Sequence, residues 1–441
     1  MRAPRGGAVL LLLIPVGGAA PAAEGPLPPL SEALEAAVDL PSPLARAEAA
    51  RRILKRPDAT VPNLLAAMRA FGRFAPQRPG TGTEAVPLFD GKGTATEEVT
   101  VYTPPSYDPA RPAPLLLVLH DSGLRGRDEP AGWKAAADAL GMVVVAPTDR
   151  LADKGWTATP AERHKALAAL RWARRRWNAD ENRIFGAGSS RGGHLLWDIA
   201  LRHPDLFAAV APMVGGPRLA NSVGENNFRY IENLRRLPIR DLQGEEDDPR
   251  LLDSLRRAFS FLEEFRNPDA RLVLFPGLGH ACDTSKVDWV EWLGKVRRDP
   301  VSEEVVRRAV DPGEARAFWA EATALGKGAQ ERFTLPVDPR KWNALSDAER
   351  REAFIEAADG FTARLRVRRA GPGAYEAEGR EVERFRILLP EGGFEPEKPV
   401  SVTFRGRTVK AVPRPDARVL LEDVVERFDR TFLPVAEVRV P

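Results

Sequence analysis

Apolar positions along the chain follow three successive patterns. Between residues 30 and 74 they recur at helical spacing. Leu30, Leu34, Ala37 and Val38 mark a first helix, and residues 43–55 and 61–74 two more. Residues 75–87 (APQRPGTGTEAVP) carry the Pro and Gly of a linker. From about residue 95 continuous apolar runs alternate with amphipathic ones. Residues 97–103 alternate like a strand, whereas 114–120 (PLLLVLH) and 142–147 (MVVVAP) are uninterrupted, the pattern of strands covered on both faces. Helical runs occupy 130–140, 160–177 and 193–202, and further strands 183–186, 207–214, 237–243 and 271–275. Strands that alternate with helices require right-handed crossovers, so a mainly parallel sheet with helices on both faces is expected. After Pro300 the pattern becomes strand-rich. A hairpin over 303–324 is expected around Asp311-Pro312-Gly313, and then a helix over 346–361 with Ser346 as N-cap. Strands follow at 363–369, 382–389, 400–404, 407–412 and 435–440.

The expected organisation is a leader over 1–22, a helical region over 23–85, an α/β unit over 86–300 and a β-rich accessory region over 301–441. Composition excludes several classes. With 43% hydrophobic and 29% charged residues, the chain as a whole is not a disordered one. Its 65 basic and 62 acidic residues are interspersed and leave a net charge of +3, which does not mark a nucleic-acid binder. The basic residues read as solvated faces. The single cysteine, Cys282, rules out an intramolecular disulfide and thiolate zinc clusters. Arg2 and Arg5, the apolar run 8–16 and the small residues after it have the three parts of a secretory signal peptide, with cleavage expected after Ala22. No later stretch reaches the ~20 apolar residues of a membrane-spanning helix. A secreted or periplasmic protein is therefore expected, with no membrane span.

The strongest chemical signal is FGAGSSRGGH at 185–194. Gly188-Ser189-Ser190-Arg191-Gly192 fits G-x-S-x-G with Ser190 at the centre, between a predicted strand and a predicted helix. Centred on Ser189, the pattern fails at both flanks. A serine needs a base, and the base an orienting acid. Of the five histidines, His120, His164, His194, His203 and His280, only His280 leaves room for an acid between it and Ser190. It closes a Gly-rich loop, PGLGH, just after a strand. The acid is sought in GEEDD (244–248): Asp247 first, Asp248 next, then Glu245 and Glu246. For an oxyanion hole, one amide comes from Arg191, after the nucleophile, and a second from the loop His120-Asp121-Ser122-Gly123, where Ser122 is favoured. His194 and His203 are assigned to helix support and a helix-end dipole contact, and His164 to a solvated face. Trp156 is a candidate platform for an aromatic or sugar ring, with a core position as the alternative. Trp319 and Trp342 read as core.

The stretches YTPPSYDPARPAPLLLVLHDSG, DENRIFGAGSSRGGHLLWDIALRHPDLFAAVAPMVGG, YIENLRRLPIRDLQGEEDD and LFPGLGH together resemble secreted bacterial α/β-hydrolases. The group includes feruloyl and acetylxylan-type esterases, polyhydroxybutyrate-depolymerase-like esterases and related peptidase or phospholipase–carboxylesterase proteins. The resemblance covers roughly residues 95–295. It implies the α/β-hydrolase fold and places the group's nucleophile on Ser190, acid on Asp247 and base on His280. Two departures stand out. The group usually has His-Gly after the first buried strand, where this chain has His120-Asp121, and Arg191 stands where Met or Ala is frequent. A carboxylate there opposes an oxyanion unless paired, and Arg191 is the expected partner. The tail around EKPVSVTFRGRTVK is similar to the β-rich extension of some exported hydrolases.

The first functional expectation is a serine hydrolase of carboxylic esters acting through an acyl-enzyme, with feruloyl or acetyl esters of polysaccharide as candidate substrates. The substrate would be a small-molecule or polysaccharide-linked ester, and no metal or organic cofactor is implied. A prolyl-oligopeptidase-type peptidase uses the same triad, although no propeller-like repeat occurs here. A non-catalytic binding protein on a hydrolase fold is the third reading. Fold alone licenses none of them.

Overall fold

The computed structural model describes residues 28–71, 74–149, 154–218, 226–335 and 338–441. The leader segment and its cleavage point lie outside the described residues. No described helix is long and apolar enough to cross a membrane.

Among the described residues three short helices come first: α1 (Leu30–Asp39), α2 (Pro43–Ile53) and α3 (Val61–Arg69). Next is β1 (Gly80–Phe89), paired antiparallel with β2 (Thr94–Thr103) from Gly80 opposite Thr103 to Phe89 opposite Thr94. The expected linker over 75–87 is thus largely a strand. Its pattern hid this, because five of its residues in a row face solvent and only Val86 and Leu88 are buried. The alternation then runs β3 (Ala113–Leu119), α4 (Pro130–Leu140), β4 (Val143–Pro147), α5 (Pro160–Arg176), β5 (Ala179–Ser189), α6 (Arg191–Arg202), β6 (Ala209–Met213), β7 (Ile239–Gly244), α7 (Pro249–Glu264), β8 (Ala270–Phe275) and α8 (Trp289–Lys295). The eight strands form one sheet in the order β1-β2-β4-β3-β5-β6-β7-β8. From β4 to β8 all neighbours are parallel; β1–β2 and β2–β4 are antiparallel. This is the α/β-hydrolase fold.

The continuous apolar runs are explained by a core on each face of this sheet. Successive side chains of a strand point to opposite faces. Leu115, Leu117 and Leu119 join the core beneath α5, α6 and α7, whereas Leu116 and Val118 join the one beneath α4 and α8.

Beyond residue 300 lie β9 (Glu304–Ala309), β10 (Arg316–Ala317), β11 (Ala320–Leu325), α9 (Pro339–Ala344), α10 (Asp347–Gly360), β12 (Ala363–Gly371), β13 (Ala374–Arg380), β14 (Val382–Pro390), β15 (Val400–Phe404), β16 (Arg407–Ala411), α11 (Ala417–Arg427) and β17 (Pro434–Val440). They build two sheets, β16-β15-β13-β12-β9 and β10-β11-β14-β17, around a shared core that includes Trp319, Val367, Phe385 and Val438. The hairpin expected over 303–324 does not form. β9 pairs with β12, and β11 with β14 in the other sheet, so the turn at Asp311 carries the chain between sheets. Ser346 does cap α10, in a reciprocal bond with Glu349.

α1–α3 and α11 share one apolar core, in which Leu34, Leu64, Leu420, Leu421 and Phe428 are fully or almost fully buried. The first and last of the described helices are thus packed on each other. The basic face of α5 secures them and is not simply solvated. Arg171 donates to the carbonyls of Val38, Val425 and Glu426 at 3.0, 2.8 and 3.0 Å. Arg175 pairs with Asp39 at 2.5 Å, and its guanidinium lies 4.3 Å from the Phe71 ring and 4.9 Å from the Phe428 ring. Phe428 itself takes the left-handed conformation (φ 48°) that ends α11. Replacing Phe428 by Ala removes the side chain on which these helices and arginines converge. We expect a loss of about 3–5 kcal/mol, measured by urea unfolding.

Candidate active site

The sheet places the end of β5 centrally, between β3 and β6, and the chain turns there directly into α6. Ser190 occupies that turn with φ 48° and ψ −109°, a conformation that costs about 1–3 kcal/mol in a non-glycine residue. The surroundings enforce it. The Ser190 amide donates to the Met213 carbonyl at 2.8 Å, and its carbonyl accepts from the His194 amide at 3.0 Å. Gly192 is required by close approach: a Cβ there would lie 2.0 Å from the Leu119 carbonyl oxygen. Gly188 faces Gly192 across the turn, where a Cβ would meet the Gly192 oxygen at 2.5 Å.

A second tight approach brings the other two residues in. Gly244 ends β7, and a Cβ on it would lie 1.8 Å from the Gly279 oxygen. The loop after β8 can therefore cross the end of β7, which sets His280 beside Asp247. His280 Nε2 is 2.8 Å from Ser190 Oγ, and His280 Nδ1 is 2.8 Å from Asp247 Oδ2. The Asp247 side chain is 7% exposed, that of His280 50%. Asp247 is held by two more donors: the Asp248 amide, at 2.7 Å from Oδ1, and the Gln243 side-chain amide, on Oδ2. Asp248 is placed differently. Its carboxylate accepts from the Arg250 amide at 2.8 Å and caps α7. Such a hydroxyl, imidazole and carboxylate can generate an alkoxide-like nucleophile and hold the proton it gives up.

The oxyanion side differs from expectation. Arg191 is the first residue of α6, so its amide is one of the N–H groups without an intrahelical acceptor. Ser122 lies close by, since a Cβ on Gly155 would be 3.0 Å from both Ser122 Cα and Arg191 Cβ. Yet the Ser122 amide already donates to the Asp121 carboxylate at 2.5 Å, and the Ser122 hydroxyl lies 3.1 Å from the same oxygen. The expected Arg191–Asp121 ion pair is not formed; Asp121 spends its charge on the residue that follows it.

Two further expectations are corrected. Trp156 is 1% exposed, stands with its ring centroid 5.1 Å from that of His120 and belongs to the main core, so it offers no face to a substrate ring. His203 is no dipole cation, because burial pushes its imidazole down to about 3. His120 is a brace that no motif in the sequence marks. Its Nδ1 is 2.7 Å from the Asp121 carbonyl, and its Nε2 accepts from the Asp149 amide at 3.0 Å. Burial holds it below the usual histidine range, which keeps it neutral and lets it tie the β3 and β4 loops together. His194 Nδ1 lies 2.7 Å from the Gly216 carbonyl oxygen, a structural link as expected.

No protein-family model matches the chain. Over 223 residues it is 30% identical to a putative esterase, NocK, of Nocardia uniformis subsp. tsuyamanensis, a match that covers 46% of this chain. The chain spans about 60% of the length of that relative. Among solved structures, a thermostable esterase is similar at 22% identity and a TM-score of 0.40, over 49% of this chain and 63% of that one. A putative dipeptidyl aminopeptidase IV from Bacteroides ovatus ATCC 8483 is similar at 15% identity and a TM-score of 0.40, over 49% and 35%.

Glu129, in the loop that carries Asp121, has its carboxyl pushed up to about 7, first by burial and then by Asp121 and Asp128. In the unfolded chain it ionises near 4.5. Between these values the folded protein keeps a proton that the unfolded chain has lost, so this group's contribution falls as pH rises from about 4.5 to 7. Glu129→Gln should remove that decline and raise the melting temperature above pH 7 relative to wild type, read from thermal melts across pH 4–9.

Proposed function

We propose that the chain is a serine hydrolase that cleaves a carboxylic ester through an acyl-enzyme. The observation that carries this reading is the 2.8 Å and 2.8 Å sequence of contacts from Ser190 Oγ through His280 to Asp247, on a strained strand-to-helix turn. The similarity to a putative esterase supports ester rather than amide substrates.

In this reading Ser190 Oγ attacks the ester carbonyl while His280 Nε2 takes its proton. The tetrahedral oxyanion forms beside the Arg191 amide. Its collapse breaks the bond to the alcohol oxygen, to which His280 returns the proton. Water, deprotonated by His280, then attacks the acyl-enzyme and releases the carboxylic acid and Ser190. Asp247 holds the imidazole in the required tautomer and stabilises its charged form. Small acyl esters such as acetate, and feruloyl esters of plant polysaccharide, are the substrate classes to examine. The N-terminal leader supports export to the periplasm or medium.

Asp121 sets the rate in this scheme. The Ser122 amide can serve the oxyanion only if it is released from the Asp121 carboxylate. Should the chain turn over no ester, this engaged amide favours the binding-protein reading.

The direct test is hydrolysis of p-nitrophenyl acetate and methyl ferulate, beside a short chromogenic peptide. Ser190→Ala should lower kcat by at least about 10³-fold. Asp247→Asn should cost about 10⁴-fold, and Asp248→Asn little, which separates the two acids. Asp121→Gly frees the Ser122 amide and should raise kcat by about tenfold or more, in steady-state assays of the same ester.

A further inference from the structure

β7 carries two consecutive polar side chains on the same face, Asp241 and Gln243, each 0% exposed. Asp241 Oδ2 accepts from the Trp197 indole N–H at 2.8 Å, which ties β7 to α6, the helix that Ser190 introduces. Gln243 Nε2 donates to Asp247 Oδ2. The remaining oxygen of each, Asp241 Oδ1 and Gln243 Oε1, is sealed from solvent and has no hydrogen-bond partner among the described residues. Both are acceptors, on neighbouring positions of one strand face, and what they lack is a donor. A protonated carboxyl supplies one.

We propose that Asp241 is a positioning residue: it holds a proton on Oδ1, donates it to Gln243 Oε1, and so fixes the Gln243 amide with its N–H groups toward Asp247. The inference rests on the hydrolase reading of Ser190, His280 and Asp247. An ionised Asp241 would do the opposite. It would attract the Gln243 amino group and turn the carbonyl oxygen against the Asp247 carboxylate. The surroundings favour the neutral form. Among the described residues Asp241 makes no ion pair, and burial pushes its carboxyl well above the usual range, opposed only by the Trp197 indole. The neighbouring Cys282 thiol is itself pushed up to about 11, by burial first, and brings no charge. The donor on Asp247 Oδ2 disperses part of the carboxylate charge facing His280. Losing it strengthens the hold on the protonated imidazole, which moves the acid limb of kcat/KM to higher pH.

The test uses the full chain with p-nitrophenyl acetate, comparing Asp241→Leu, Asp241→Asn and Gln243→Met with wild type and Ser190→Ala. Thermal melts report folding. Asp241→Leu and Gln243→Met should each lower kcat by about tenfold, the effect of losing one hydrogen bond to a charged group, with KM little changed and the acid limb displaced upward. Asp241→Asn should restore both, because its amide can donate to Gln243 Oε1 while its oxygen accepts from Trp197. If folded Asp241→Asn is as slow as Asp241→Leu, or if Gln243→Met keeps the wild-type kcat and pH profile, the proposal is wrong. Should Asp241→Leu fail to fold, the Asn and Met variants still decide. Turnover that survives Ser190→Ala, or a wild type without turnover, instead overturns the hydrolase reading and this inference with it.

Discussion

The site depends on one steric constraint: β5 must turn into α6 with no room for a side chain at Gly188 or Gly192, two residues to either side of Ser190. The Leu119 carbonyl stands where a Cβ of Gly192 would be, and the Gly192 carbonyl where a Cβ of Gly188 would be. Contact this close lets α6 start directly over the end of the central strand. The φ of 48° at Ser190 follows from it and lifts Oγ clear of the sheet edge, within 2.8 Å of His280. The same device recurs at Gly244, where backbone-to-backbone approach lets the His280 loop pass over the end of β7. Both are packing constraints, and both convert sheet topology into the positions of three side chains.

Around this centre lies a buried polar layer. His120 braces the two loops beside Ser122, Trp197 joins α6 to β7, and Gln243 meets Asp247 from below. These groups are costly to bury unless bonded, so each tends to define one arrangement of the loops that it joins. The engaged Ser122 amide lies at the exposed rim of this layer. Its partner is the carboxylate that distinguishes this chain from the group it resembles.

α1 and α11 are tied to the α/β unit through α5. Its arginines meet backbone carbonyls at the ends of α1 and α11, and Phe428 gives them an aromatic face. Guanidinium groups suit this place because they can donate several hydrogen bonds while their stems and planes pack on apolar surface. In sequence these residues look like an ordinary charged helix face. Their role exists only because α1 and α11 come together.

By itself the sequence determined what local chemistry determines. Uninterrupted apolar runs dictate strands buried on two faces, and the Gly-flanked serine between a strand and a helix dictates the elbow. Chain order singled out His280. Tertiary structure decided everything that depends on which backbone passes close to which. Asp247 and Asp248 are identical in type and adjacent, and only the crossing at Gly244 shows that one faces the imidazole while the other caps α7. Trp156 could be a platform or a core residue until its neighbours were known. β9 and β11 could pair across their turn until the two sheets separated them. The solvent-facing half of β1 had no apolar alternation, because an edge strand can be held by backbone hydrogen bonds alone, which side-chain pattern does not record.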